Sequence, residues 1–463
     1  MTIHTQWLRV FKEEVPKAFS SEVPRDVSCV IYDAMPMLMI GSSNDRQMTW
    51  DEFISRNFAN QIRRSFSMGV STVVLSFDEY SLGPCSKSIT QSNRNKMATP
   101  FVFHENQFLE NLVPLDLNSR LRNRVYKRRV IECITRLIPE MIQLKSPSQR
   151  FIIDYMDAPR IFVLDKTSKE ILEDRLDMPP KGENDIKFTR FCRMFDKSVV
   201  YSVDGDYLLI ALNEIENIQN QGGVSPKIFI RRLRYKMPGE KRKAEGQVGH
   251  SREYEFVDIQ KLYDSLQKVL QTRLSGSLDG FYMKILSLLV ALCGTDFSRQ
   301  LPFVTPPKLW EIVKTRLIAS HLISSFDKEK KQIVVESAVN GLIACIYKQI
   351  YAKHCQGNSM EMVLSSLIKS KLSENTKKKL PSIQRVDATV RNANWVLIYW
   401  QCNEPVKILS DQGETSWDYQ NCFPDVSMSS EFGFRKSLKN GAIQWLDIQS
   451  DVEGSEDESD FEK

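Results

Sequence analysis

The sequence has no Cys-x-x-Cys pair; its nine cysteines are scattered along the chain. Cysteines without metal spacing read as free thiols of a reducing compartment. His354 and Cys355 are adjacent, but no neighbouring residues complete a zinc set. The N-terminal stretch, MTIHTQWLRVFKEEVPKAF, lacks the apolar segment of a secretory signal. The longest apolar run, Phe281 to Cys293, is interrupted by Lys284 and is too short to span a bilayer. The expectation is a soluble intracellular protein, cytoplasmic or nuclear, with no membrane partner. There are no internal repeats. A net charge of +5 is too small to indicate a nucleic-acid partner by itself, although the acidic C-terminus leaves the remainder more basic.

What is present is enough apolar material for a sizeable core: 42% hydrophobic and 10% aromatic residues over 463 positions. VSCVIYD (27–33) reads as a buried strand ending in an acid, and STVVLSFD (71–78) as a second. SVVYSVDGD (198–206) reads as a third. Thr49 and Glu52 form a capping-box pattern for a helix reaching about Phe66. Strands alternating with helices predict an α/β fold, a mostly parallel sheet flanked by helices. Residues 217–256 read as a loop insertion, rich in glycine and charge. Residues 307–372 read as largely helical, and WVLIYW (395–400) as an aromatic block more suited to core than to stacking. The expected division is a core over 1–310, a helical and aromatic C-terminal region over 311–449, and an acidic disordered tail over 450–463.

The acids fall in a pattern. Asp33 and Asp78 end the first two strands, and Asp204 and Asp206 end the third. Asp296 follows the apolar helix. Glu183 and Asp185 open a helix whose Phe188, Phe191, Cys192 and Phe195 form the buried stripe. Carboxyl ends of parallel strands share one edge, where ligands bind. Carboxylates converging there repel one another unless cations intervene, and Mg²⁺ prefers oxygen ligands. Two such ions activate water and stabilise the leaving oxygen of a phosphodiester. A single acid after a strand is more often a loop residue or a cap; the recurrence of the pattern carries the argument.

These residues resemble the PIN-like superfamily of 5′ nucleases, which includes flap endonucleases and eukaryotic 5′→3′ exoribonucleases. The resemblance implies a PIN-like core in which Asp33, Asp78, Glu183, Asp185, Asp204, Asp206 and Asp296 are both catalytic and metal-binding, with two Mg²⁺ ions that Mn²⁺ can replace. QWLRVFKEEVPKAF, GENDIK and GTDFSRQLPFV are similar to segments of the exoribonuclease branch. In GPCSKSITQSNRNK, the match implies that Lys87, Gln91 and Arg94 hold a 5′ monophosphate, with Asn95 where the family has a further Arg. NWVLIYW and SWDYQ are similar to later segments, and Trp417 corresponds to an aromatic near the substrate path. Met39 stands where that family has a stacking His. LPFVTPPKLW replaces the glycine-rich turn of flap endonucleases. The implied activity is a Mg²⁺-dependent 5′→3′ exonuclease on single-stranded RNA with a 5′ monophosphate. The alternatives are a flap-type DNA endonuclease, or a nucleic-acid-binding assembly factor on a nuclease scaffold. Arg120–Arg129 either tracks a nucleic-acid backbone or is a solvated helix face. Lys241–Lys243 is either a nuclear-import patch or a charged loop. The acidic tail could recruit a basic protein partner.

Overall fold

The computed structural model describes residues 3–40, 48–78, 108–156, 158–178, 184–233, 254–274, 278–295, 298, 300–351 and 354–401. It also gives the backbone of the short strands Val406–Leu409, Thr415–Asp418, Phe434–Lys436 and Ile443–Trp445. The expectations for Lys241–Lys243 and for the tail over 450–463 fall outside these residues.

Strands β1 (Phe19–Ser20), β2 (Cys29–Asp33), β3 (Thr72–Ser76), β4 (Arg150–Asp154), β5 (Arg160–Leu164), β6 (Ile171–Arg175), β7 (Lys197–Tyr201), β8 (Lys227–Leu233) and β9 (Tyr254–Asp258) form one sheet. Its order is β1-β9-β8-β7-β2-β3-β4-β5-β6. The central run β8-β7-β2-β3-β4 is parallel. Both flanks are antiparallel. The sheet is therefore mixed, which corrects the mostly parallel expectation. The reason lies in the connections: β4, β5 and β6 follow one another through links too short for a crossover helix, so the chain can only fold back. The β5–β6 turn is closed by Asp165, whose Oδ1 accepts from Thr167 N (2.8 Å) and Ser168 N (2.6 Å). The stretch read as a loop, 217–256, carries β8 and the start of β9 at its far side, and begins inside a helix.

Helices cover both faces. Val30 and Tyr32 of β2 point into one cluster, with Phe53, Phe58 and Ile62; Cys29 and Ile31 point into the other. On the first face lie α1 (Ala34–Ile40), α2 (Trp50–Ile54), a π-helical turn (Ser55–Ala59), α3 (Asn60–Ser67) and α4 (Arg124–Ile142). The capping box at Thr49 and Glu52 is formed: each side chain accepts from the other's backbone N–H.

On the opposite face lie α5 (Asn184–Cys192), α6 (Asp206–Asn220), α7 (Ile259–Leu274), α8 (Tyr282–Leu292) and α9 (Ile383–Gln401). Phe188, Phe191 and Cys192 are fully buried there, with Phe195 packed against them. Trp395 and Trp400 are core residues of the same cluster. No helix among the described residues is long and apolar enough to cross a membrane.

Lys284, which interrupts the apolar run, has a partner. Its Nζ lies 3.7 Å from Glu216 Oε2 and donates to Asn217 Oδ1 at 2.9 Å, joining α8 to α6. Burial pushes the Glu216 carboxyl up to about 7, against the opposing pull of Lys284 and the Met283 backbone N–H. The folded protein thus holds a proton that the unfolded chain releases at lower pH. The stabilising contribution of this group is full below the ordinary glutamate range and is lost as pH rises through about 7. Melting temperatures measured from pH 5 to pH 8 (roughly the window of this titration) should therefore fall more steeply for the wild type than for Glu216→Gln. An equal or steeper fall in the variant would contradict this.

Candidate functional site

The carboxyl ends of β2 and β7 are neighbours, because Tyr32 pairs with Tyr201 in parallel register. Each strand runs almost directly into a helix, so the side chains at these ends are fixed by secondary structure on both sides. Asp33 is the last residue of β2, and α1 starts at Ala34. Its Oδ1 accepts from Met35 N at 3.2 Å, and its Oδ2 accepts from Ser202 Oγ at 3.2 Å. Ser202 Oγ in turn accepts from Asp204 N at 3.1 Å, and Asp204 Oδ1 accepts from Asp206 N at 3.3 Å. Asp33, Ser202, Asp204 and Asp206 are thus one hydrogen-bonded series. Asp204 is exposed, while Asp206, the first residue of α6, is buried at the helix end that favours negative charge.

Asp78 lies beyond β3, two residues after Ser76, which pairs with Asp33 in the register. It belongs to the same edge. Burial lowers the Arg232 guanidinium to about 10, opposed by the nearby Glu255 and Asp204 carboxylates. A cation therefore stands beside the acids from β8.

The structure brings four of the expected acids, Asp33, Asp78, Asp204 and Asp206, to one edge. Asp185 lies in the first turn of α5 by its backbone, with its side chain outside the described residues. Glu183, Asp296, Lys87, Gln91 and Arg94 also lie outside them. Trp417 pairs with Lys407 by backbone in a small hairpin. Among the described residues, no three His, Cys, Asp or Glu side chains are grouped tightly enough to hold a metal ion. The donor chemistry nonetheless fits a hard divalent cation, since every acid at the edge offers oxygen. In the basic run, Arg120 pairs with Asp116 (2.7 Å) and Arg128 with Glu132 (2.9 Å) on the protein surface. Arg120 ends the short helix Leu117–Arg120 and Arg128 lies in α4, each paired with an acid four residues away.

Sequence reading missed Asp154, the last residue of β4. It is fully buried and accepts from Arg190 Nη2 at 2.6 Å and from Ser76 Oγ at 2.9 Å. Lys187 Nζ is 3.8 Å away and donates to Phe77 O at 2.9 Å. Burial alone would raise this carboxyl, but Arg190 and Lys187 hold it below its ordinary value. Both cations come from α5, so Asp154 pins to the ends of β3 and β4 the helix that carries Asp185. RFIID had the same signal as the other strands, an apolar run closed by an acid.

No model of a known protein family matches the sequence, and no curated protein sequence matches it significantly. Two solved structures of the catalytic core of Rad2 in complex with DNA substrate are similar to it. One is 14% identical with a TM-score of 0.33, covering 80% of this chain and 96% of that one. The other is 16% identical with a TM-score of 0.33, covering 82% and 85%. Neither likeness bears on the exoribonuclease branch.

Proposed function

We propose that this protein is a divalent-metal-dependent nuclease hydrolysing phosphodiester bonds, acting 5′→3′ on single-stranded RNA with a 5′ monophosphate. The observation that carries the reading is the series Asp33–Ser202–Asp204–Asp206 across the ends of two adjacent parallel strands. Carboxylates gathered in this way favour a hard cation. Asp33, Asp78, Asp204 and Asp206 would hold Mg²⁺ or Mn²⁺, joined by Glu183, Asp185 and Asp296. The bound metal supplies Lewis-acid stabilisation and an activated water.

The chain's own part is positional. Ser202 and the Met35 N–H fix the Asp33 carboxylate, and the start of α6 fixes Asp206. In this reading Lys87, Gln91 and Arg94 grip the terminal phosphate through charge-assisted hydrogen bonds, and Trp417 borders the substrate path. The core over 1–310 does the chemistry, and the acidic tail over 450–463 recruits a basic protein.

The test uses end-labelled RNA and DNA, single-stranded and flapped, carrying 5′ phosphate or 5′ hydroxyl. The wild type should degrade 5′-phosphorylated RNA stepwise. Arg94→Ala should lower the preference for phosphate about tenfold, the worth of one charge-assisted hydrogen bond. Cutting of DNA flaps with no dependence on the 5′ group would replace this reading with the flap-endonuclease one.

A further inference from the structure

β8 has one buried face and one open face. Ile228, Ile230 and Arg232 are buried, whereas Lys227, Phe229, Arg231 and Leu233, which alternate with them, are half-exposed or exposed. β7 continues the open face. Lys197 pairs with Lys227 and Tyr201 with Arg231 in parallel register, and both Lys197 and Tyr201 are half-exposed.

The cations of this face are held by rings and backbone. Lys197 Nζ lies 5.6 Å from the centre of the Phe229 ring and donates to the Arg25 backbone carbonyl. The Arg231 guanidinium lies 3.6 Å from the centre of the Tyr254 ring and 4.5 Å from that of Tyr201. Arg64, exposed on α3, is near enough to Tyr32 and Tyr201 to favour their ionised forms. None of Arg64, Lys197, Lys227 and Arg231 forms an ion pair with a carboxylate among the described residues. The buried face is different: there Glu255 meets Lys12 at 2.6 Å and Arg232 at 4.0 Å. Asp258, which ends β9, is taken by Lys261 at 3.2 Å. The open face therefore carries a surplus of positive charge interleaved with aromatic rings.

That combination suits a polyanion bearing planar groups, as in channels for single strands. The row also has a direction. Lys227 and Arg231 are four residues apart, roughly 13 Å along the strand. The Arg231 end lines a cavity of about 130 Å³ shared with Tyr201, Tyr254 and Asp33. The row thus runs to the acid edge. The acids there repel phosphate, so a strand reaching them needs cations close by to offset that repulsion. An acidic peptide would match the charge of the row, but its carboxylates would meet the same repulsion at the edge with no metal-bridged chemistry to gain.

We propose that the open face of β7 and β8 is a track for single-stranded nucleic acid. Arg64, Lys197, Lys227 and Arg231 hold its phosphates, and Tyr254 offers a ring to its bases. Only the track's leading to the bond that is cut rests on the nuclease reading; binding of the strand does not require hydrolysis.

The experiment measures binding of an oligo(U) of about 12 nucleotides, within the usual site size of such tracks, to the full-length Asp204→Ala, Asp206→Ala protein by fluorescence anisotropy over a range of salt. Lys227→Gln and Arg64→Gln, both at exposed positions, should each weaken binding about fivefold at roughly 0.1 M salt. Each should also lower the slope of log affinity against log salt by about 0.7, the share of one phosphate contact on a single strand. Tyr254→Ala should weaken binding about fivefold or more, the value of one stacked base, and Tyr254→Phe should restore it. Lys377→Gln is the control, because Lys377 is paired with Glu374 at 2.9 Å; it should change neither affinity nor slope. Unchanged affinity and slope in folded Lys227→Gln and Arg64→Gln, or an equal loss in Lys377→Gln, overturns the proposal. Losses confined to the track variants, in a protein whose wild type leaves every strand intact, would instead refute the nuclease reading and leave the track standing.

Discussion

Replacing Asp204 and Asp206 together with alanine is expected to abolish hydrolysis in Mg²⁺ while leaving a folded protein. Both acids belong to the series that begins at Asp33, and their loss removes half of the described acids at the edge. Charge stabilisation of this kind amounts to several kcal/mol, so the rate should fall by at least about 10³-fold. The structural cost is small. Asp204 is exposed, and a negative charge at a helix start such as that of Asp206 is worth about 0.3–1 kcal/mol. Circular dichroism should therefore match the wild type. Binding of strands should persist, because the vacated edge repels phosphate less. Wild-type hydrolysis by the purified double variant would falsify the assignment of the edge.

Asp154→Ala should be the most destabilising single change near the site. Arg190 and Lys187 are both within a few per cent of complete burial, and Asp154 is their shared counter-charge. Removing one partner of a buried ion pair typically costs about 3–5 kcal/mol, because the remaining charge has no solvent to receive it. Here both cations would lose that counter-charge. Urea titration followed by tryptophan fluorescence should show the midpoint moving sharply down, and activity should fall as α5 loses its anchor. The depressed carboxyl makes the same contact acid-sensitive: its contribution is present above the ordinary aspartate range and vanishes as pH drops through the lowered value. A midpoint within about 1 kcal/mol of the wild type, the scale of an ordinary surface substitution, would mean that packing and not the ion pair holds α5 in place.

The central strands were legible because CVIY, TVVLS and SVVY are apolar runs closed by acids, and the edge that gathers Asp33, Asp78, Asp204 and Asp206 followed from them. The capping box at Thr49 was legible for the same reason: its partners are three residues apart. β8 was not legible. KIFIRRL alternates buried and half-exposed positions, but its arginines make it look like surface chain. Arg231 is accommodated there by the rings of Tyr201 and Tyr254, which come from other strands. Asp154 shows the same limit from the other side. An acid at a strand end can face an open edge or be neutralised by Arg190 and Lys187 from a later helix, and spacing alone does not distinguish the two. Ser202 lay inside the SVDGD motif, yet its bridging role needs the register of β2 against β7.

The same register has a consequence for how the chain is made. β2 lies between β3 and β7, but Lys197 leaves the ribosome roughly 160 residues after Asp33, which at about 5–20 residues per second is a wait of roughly ten to thirty seconds. Through that interval the nascent chain holds β2 against β3 and β4 with one long side unpaired, and the apolar Cys29–Tyr32 segment is open to any other strand. The carboxylates of the edge are assembled only when β7 and the start of α6 have been made, so products truncated before them would carry Asp33 and Asp78 without the later acids that complete the site.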